Sequence, residues 1–473
     1  MNEAVKEAMG KLIGTVRANY PDCEHAARAA ATVCAVRCIS NNTQPTSLIF
    51  VGPPSSGKSM VLEWLTPQAD LRGCPSGDAD APDDSGSDPL SVYFHRSDKF
   101  TAASFVSQHG ETKKKDLADV DLLPKIKDKT LITPELAPVF AGRKEDMVER
   151  LSMLVRVLDG QGLVTDAGTH GSRGYAKPHN FQWLGATTPV SPEVLAAMSK
   201  LGPRILYFSI FDRSDSNENL VDFMSDEADN AKAKRMCRAA MLNYVLTLYR
   251  EYPLASLHTS RVTVPKPLQL LMVEWGRALC GLRVGVKVSK EAYDEDDYES
   301  TGPRLELVDK PERPYRALEN INRLVRASVI AHGRMEATTY DIGMVRHIVL
   351  SSGIGARGRA LAALIAAGGK ATSADMMTHM LTSRPTALRY MRELLVTGLA
   401  TNTDAHGGKL GHIALADYLT DLIGAPQYRE DTHEQPTKSP TEVDGTGRES
   451  NPGLGPESDL GLPAASGRDP VGV

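Results

Sequence analysis

The chain has 473 residues, room for about three domains of ordinary size, and its 41% hydrophobic share excludes a protein too poor in apolar residues to build cores. No apolar run approaches a membrane span, and the start, MNEAVKEAMGKLIG, carries acids and has no apolar centre, so neither a membrane segment nor a signal peptide is expected. The net charge of −5 is unevenly spread: residues 68–90 and 425–473 each carry −5, leaving +5 on the rest, which permits nucleic-acid binding without requiring it. Cysteines stand at 23, 34, 38, 74, 237 and 280. Cys34 and Cys38 lie one helical turn apart, but no second pair or histidine set completes a zinc site, so buried thiols in a reduced, cytoplasmic protein are expected.

Residues 1–45 predict a helical lead-in, with an alanine-rich helix over Ala26 to Ser40 stopped by Asn41, Asn42 and Pro45. Ser47 to Val51 then form a short apolar strand, Gly52, Pro53, Pro54, Ser55, Ser56, Gly57, Lys58 and Ser59 fit G-x-x-x-x-G-K-S, and a helix resumes over Met60 to Leu65. Strand, glycine loop and helix in that order predict a phosphate-binding loop. Backbone N–H groups and the helix N-terminus cradle the phosphates, Lys58 reaches the β- and γ-phosphates of ATP, and Ser59 holds Mg²⁺.

Residues 68–90 predict a disordered acidic insertion inside a core spanning 46–215. Strands over 91–95, 129–133 and 181–188, with helices over 101–107 and 145–158, predict an α/β fold with a mostly parallel sheet. Gly162, Gly168, Gly171 and Gly174 surround His170, Arg173 and Lys177 in a hairpin over 162–182. Residues 216–352 predict a lid with helices over 218–249, 268–282, 315–331 and 339–350, interrupted by an acidic insertion at 291–302. Residues 353–424 predict three helices and a hairpin, the winged-helix pattern, with Arg384, Arg389, Tyr390, Arg392 and Glu393 off the apolar face of the third helix. Residues 425–473 predict a disordered acidic tail.

The order of features after the glycine loop resembles the AAA+ ATPases, nearest the branch of bacterial enhancer-binding activators and minichromosome maintenance (MCM) helicases. Leu154, Arg156 and Leu158 match the L-x-R-x-L helix end before that branch's hairpin, LGPRILYF its arginine-finger segment, and PYRALENINRLVRASVIAHGRMEATTYDIGMVRHIVLSS its lid. The resemblance implies a P-loop NTPase core with helical lid, ring assembly as a homo-oligomer, and a hairpin that projects into the ring's pore. It further implies Thr188 as sensor 1, Arg204 as a finger acting on the neighbouring subunit, with Arg213 as its fallback, and Arg316 as sensor 2. The family pattern of Asp-Glu after the third-strand position is broken here: LITPEL puts Pro134 where the Asp belongs, leaving Glu135 to act as general base.

Two functions from different classes follow. One is an ATP-hydrolysing, DNA-associated motor or remodeller of replication-initiator or helicase type, with Arg173, Lys177, Arg384, Arg389 and Arg392 on DNA. The other is an ATP-gated regulator that remodels a protein partner and uses the winged helix for docking. A nucleotide switch that does not hydrolyse is a third reading, because of Pro134.

Overall fold

Strand β1 (Thr46–Val51) is apolar because both its faces are covered: Leu48 and Phe50 enter one core and Ile49 the other. The computed structural model describes residues 1–68, 88–107, 116–140, 144–167, 171–190, 194, 199–210, 227–289, 305–403 and 411–427. After β1 come β2 (Phe94–Arg96), β3 (Thr130–Thr133), the hairpin strands β4 (Leu163–Ala167) and β5 (Gly171–Tyr175), then β6 (Gln182–Thr187) and β7 (Ile205–Ser209). Five of them form one parallel sheet in the order β2-β3-β6-β1-β7. The expected parallel α/β core is therefore present.

The second strand begins later than the expected 91–95. Asp88 caps the N–H of Leu90 at 2.9 Å and Pro89 opens a 3₁₀ turn over Pro89–Val92, so the chain extends only from Phe94.

The helices surround this sheet. Those with roles below are α1 (Glu3–Asn19), α2 (Glu24–Val36), α3 (Lys58–Glu63), α4 (Lys144–Val157), α5 (Glu227–Glu251), α6 (Lys266–Arg283), α7 (Tyr315–Ala331) and α8 (Thr339–Ser351). The first two are more than a lead-in: α1 lies along α5 and α2 along α7. Ala26, Ala27, Ala29, Ala30 and Ala31 are all buried, and such small side chains let helix axes approach closely.

Helix α8 covers the outer edge of the sheet. The N–H groups of Tyr207 and Ser209 on β7 donate to the hydroxyls of Ser352 (2.9 Å) and Ser351 (3.1 Å), and His347 Nε2 lies 2.7 Å from the Ser209 carbonyl. Edge groups that would otherwise be open to another strand are thereby satisfied.

Between α6 and α7 the chain forms a short antiparallel pair, β8 (Val286–Val288) and β9 (Leu305–Leu307). The C-terminal part then runs α9 (Arg357–Ala366), β10 (Lys370–Thr372), α10 (Ser373–Met380), α11 (Arg384–Val396), β11 (Ala400–Asn402) and β12 (His412–Leu415). Strand β10, which the sequence pattern did not predict, completes a three-stranded antiparallel sheet in the order β10-β12-β11. Gly368 and Gly369, at φ 75 and 82, stop α9 and turn the chain into β10.

Residues Met1–Arg429 form one compact unit. Among the described residues no helix is long and apolar enough to cross a membrane. Most of the 68–90 insertion, all of the 291–302 insertion, the start of the helix expected over 218–249, Gly168, His170, Arg213 and the tail from 428 lie outside the described residues.

Glu274 on α6 faces Asp421 of the C-terminal 3₁₀ turn (Asp417–Gly424). Burial, then the neighbouring Asp421 carboxylate, pushes the Glu274 carboxyl up to about 7 from its ordinary 4.5. The folded chain therefore holds a proton that the unfolded chain has released, so this stabilisation is complete below pH 4.5 and is lost as pH rises through about 7. Glu274→Gln, which mimics the protonated acid, should match the parent in denaturant unfolding at pH 4.5 and exceed it at pH 8.

Candidate functional site

The loop from Gly52 to Gly57 joins the end of β1 to α3, and its backbone is tightly wound. Ser55 (φ 65) and Gly57 (φ 77) both adopt the left-handed conformation. A Cβ at Gly57 would stand 2.5 Å from Cys23 Sγ, so that position admits only glycine. Lys58, 5% exposed, donates from Nζ to the Pro53 carbonyl at 2.7 Å and so folds back across the loop. Burial lowers its pKa and the nearby Glu135 carboxylate raises it.

The other candidates converge on the same end of the sheet. Ser59 Oγ donates to the Pro134 carbonyl at 3.3 Å, so α3 touches the chain just beyond β3. Glu135 is half-buried and accepts the Ala137 N–H on Oε1 at 2.9 Å. The Leu136 N–H donates to Ala186 and the Gly52 N–H to Thr187, which brings both loops against the end of β6, where Thr188 emerges half-buried. Lys58, Ser59, Glu135 and Thr188 thus gather at the C-terminal ends of three parallel strands, the position where ligands bind in open α/β sheets.

Among the described residues no cluster of three or more His, Cys, Asp or Glu converges. The donor set fits Mg²⁺ held by the Ser59 hydroxyl, nucleotide phosphates and water, and does not fit a carboxylate cage.

Arg204 and Arg316 lie at the opposite end. Ser47 pairs with Ile205 and Val51 with Ser209, so Arg204 precedes β7 at the end where β1 begins. Roughly 15 Å of strand separates it from the glycine loop, at about 3.3 Å per residue. Gly202 (φ 60) and Pro203 shape the turn that presents Arg204. Its Nε and Nη2 lie 2.9 and 3.0 Å from the two carboxylate oxygens of Asp159, and Arg316 Nη2 lies 3.3 Å from Oδ1 of the same group. Sequence reasoning did not single out Asp159. Its signal was only an acid directly after the apolar helix end, whose Leu154 and Leu158 are buried and whose Arg156 is exposed.

Two surface expectations are corrected. Arg173 is 8% exposed, its Nη1 donating to the Ser107 carbonyl at 3.5 Å, because β5 turns that side chain towards the body. Only Lys177 of the hairpin's two expected cations is exposed. On α11, Glu393 is not on an open face: it is buried and accepts from Arg357 at 3.0 Å and Arg389 at 3.1 Å. Tyr390 is half-buried, its hydroxyl accepting the Ala356 N–H. Arg384 and Arg389 remain exposed, while Arg392 is half-buried and its pKa is lowered by burial.

The sequence matches no protein-family model and no curated protein. Among solved structures it shares a distant likeness with a full-length MCM homologue from Methanopyrus kandleri, at TM-score 0.39 and 13% identity, covering 75% of this chain. The chain spans 62% of that structure's length.

Lys58→Ala removes the one cation held in the loop and leaves the packing of β1 and α3 untouched. Titration calorimetry with ATP should show affinity reduced by at least about tenfold, or roughly 1.4 kcal/mol, with the thermal midpoint of the free protein retained.

Proposed function

We propose that this protein is an AAA+-type ATPase that works as a homo-oligomer, each nucleotide lying between the loop of one subunit and Arg204 and Arg316 of the next. The observation that carries the reading is the division of the candidates between the two ends of one parallel sheet. Lys58, Ser59, Glu135 and Thr188 share one end, and the two arginines share the other. An arginine side chain cannot span roughly 15 Å of strand, so these arginines can serve a phosphate only if it belongs to a neighbour.

In this reading the backbone of Gly52–Ser59 cradles the phosphates, and Lys58 exchanges the Pro53 carbonyl for a phosphate oxygen. Glu135 takes the proton of the attacking water, and Thr188 orients that water or the γ-phosphate. The neighbour's Arg204 and Arg316 meet the charge that develops as the phosphoryl group leaves. Mg²⁺, when bound with the nucleotide, offsets phosphate charge beside Ser59.

DNA is the partner we assign to this ATPase. Support comes from the winged-helix order of α9, β10, α10, α11, β11 and β12, from the exposed Arg384 and Arg389 on α11, and from Lys177 at the hairpin base. A second reading, docking of a protein partner, draws on Leu381, which is 92% exposed in the turn directly before α11.

Arg204→Ala should bind ATP nearly as the parent does and lose hydrolysis by about 10³-fold or more. Mixing it with Lys58→Ala protein should restore part of the activity, because some interfaces then pair an intact loop with an intact arginine. A mixture that recovers nothing, from a parent that sediments as an active monomer, would reject the shared site.

For DNA, the combined Lys177→Ala, Arg384→Ala and Arg389→Ala variant should bind duplex more weakly. Its plot of log affinity against log salt should be shallower by roughly 0.9 for each phosphate that the variant no longer neutralises. Unchanged affinity and slope, with ATP turnover indifferent to DNA, would favour the protein-partner reading.

A further inference from the structure

Asp159 joins three separate pieces of chain. It lies two residues beyond the end of α4, its carboxylate grips Arg204 from the turn before β7, and the same carboxylate meets Arg316 in the first turn of α7. The grip on Arg204 is bidentate, Nε to Oδ1 at 2.9 Å and Nη2 to Oδ2 at 3.0 Å, a geometry that fixes the guanidinium plane as well as its distance. The side chains of Asp159, Arg204 and Arg316 are only 15%, 12% and 25% exposed, so water and salt screen this trio less than a surface pair.

Each anchor is itself held. The Asp159 N–H donates to the Arg156 carbonyl at 3.2 Å. The next residue, Gly160 (φ 69), is so close to the lead-in of β1 that a Cβ there would stand 2.6 Å from the Thr43 carbonyl. The turn carrying Arg204 is tied to α7 by Asn320 Nδ2, which donates to the Pro203 carbonyl at 2.7 Å. On α7, Arg323 Nη1 bonds both Asn320 Oδ1 and Thr46 Oγ1 at 3.1 Å, which fixes that helix to the start of β1.

We infer that Asp159 is a positioning residue that sets Arg204 and Arg316 as one unit towards the γ-phosphate of the neighbouring subunit. This rests on the shared-site reading above. Two guanidinium groups brought this close repel each other, and one carboxylate between them cancels half of their charge while leaving a net positive face for the phosphate. Without it the arginines separate, and the transition state loses two aligned donors although the nucleotide-binding loop, at the other end of the sheet, is intact.

The test uses the full chain as Asp159→Asn, Asp159→Ala and Asp159→Glu, with thermal melts to establish that each is folded. We expect kcat for ATP in the Asn and Ala variants to fall by about tenfold or more, the size expected when aligned donors are misplaced, with KM changed less than about twofold. Asp159→Glu, which keeps the charge, should recover part of the rate. Mixing Asp159→Ala with Lys58→Ala protein should restore activity, because the defect then lies on the arginine side of an interface that the second protein supplies intact. A purely architectural Asp159 would lower the melting temperature and would not be complemented in the mixture.

Folded Asn and Ala variants with parental kcat would overturn the inference. So would failure of the Asp159→Ala mixture under conditions where the Arg204→Ala mixture recovers. If Arg204→Ala itself turns over ATP normally, the shared-site reading has failed, and that result is distinguished by its own variant. Should Asp159→Ala not fold, Asp159→Asn carries the test alone, since it preserves the volume and one acceptor oxygen.

Discussion

Everything in this molecule is referred to β1, held in parallel between β6 and β7. Parallel pairing means that all three strands present their C-terminal ends on one side and their N-terminal ends on the other. The loop after β1, Glu135 just beyond β3 and Thr188 just beyond β6 are neighbours for that reason alone. Arg204 stands at the far side for the same reason, because it precedes its strand. A one-strand change of order or a reversed strand would dissolve both groupings.

The far end of the sheet is secured by arginines that serve as scaffolding. Arg323 ties α7 to Thr46, Arg283 gives its Nη1 to the Ile205 carbonyl at 2.8 Å, and Arg37 bonds the carbonyls of Tyr93 and Asp128 beside the paired rings of Tyr93 and Tyr249. Arg357, 1% exposed, donates to the carbonyls of Leu282 and Val284 at the end of α6 and to Glu393 on α11. A buried guanidinium is tolerated when its donors meet main-chain carbonyls or a carboxylate, and a helix C-terminus is a favourable place for a cation. These contacts link the N-terminal helices, the sheet, helices α6 and α7 and the C-terminal sheet within one compact unit. Removing Glu393 would leave Arg357 charged and short of its acid, so an acid on α11 serves the packing of α9 and α6.

The sequence was informative where spacing alone carries the physics. The octet 52–59, the strand before it and the helices expected over 315–331 and 339–350 were visible from pattern and residue type, whereas Glu135 and Thr188 were named through the family resemblance. It was less informative where orientation decides. Arg173 and Glu393 have the composition of surface residues, yet period-two and helical geometry turn them inward towards partners more than thirty residues away, Ser107 and Arg357. Asp159 illustrates the same limit: a single acid after a helix says nothing until the turn at 202–204 and the start of α7 are brought to it. Strand β10 escaped notice because three residues are too few to show alternation.

Pro134 alters the balance of charge at the loop end. A proline at that point contributes no N–H and no carboxylate, and what it offers Ser59 is its carbonyl oxygen. The described site therefore sets one carboxylate, Glu135, near Lys58, where a pair of adjacent acids would have placed two. One fewer negative group repels a polyphosphate less, which favours retention of the nucleotide. It also leaves a divalent ion with fewer protein ligands, so the ion's position depends more on the phosphates and water than on the chain. For the nucleotide proposed above the two effects oppose each other, because a divalent ion with fewer protein ligands ties the phosphates to the chain less firmly. In the proposed reaction the charge of the departing phosphoryl group would be met by fixed cations, and among the described candidates only Lys58 stands at its own loop. The others are at the far end of the sheet, so under the shared site proposed above turnover would depend on what a neighbouring subunit brings.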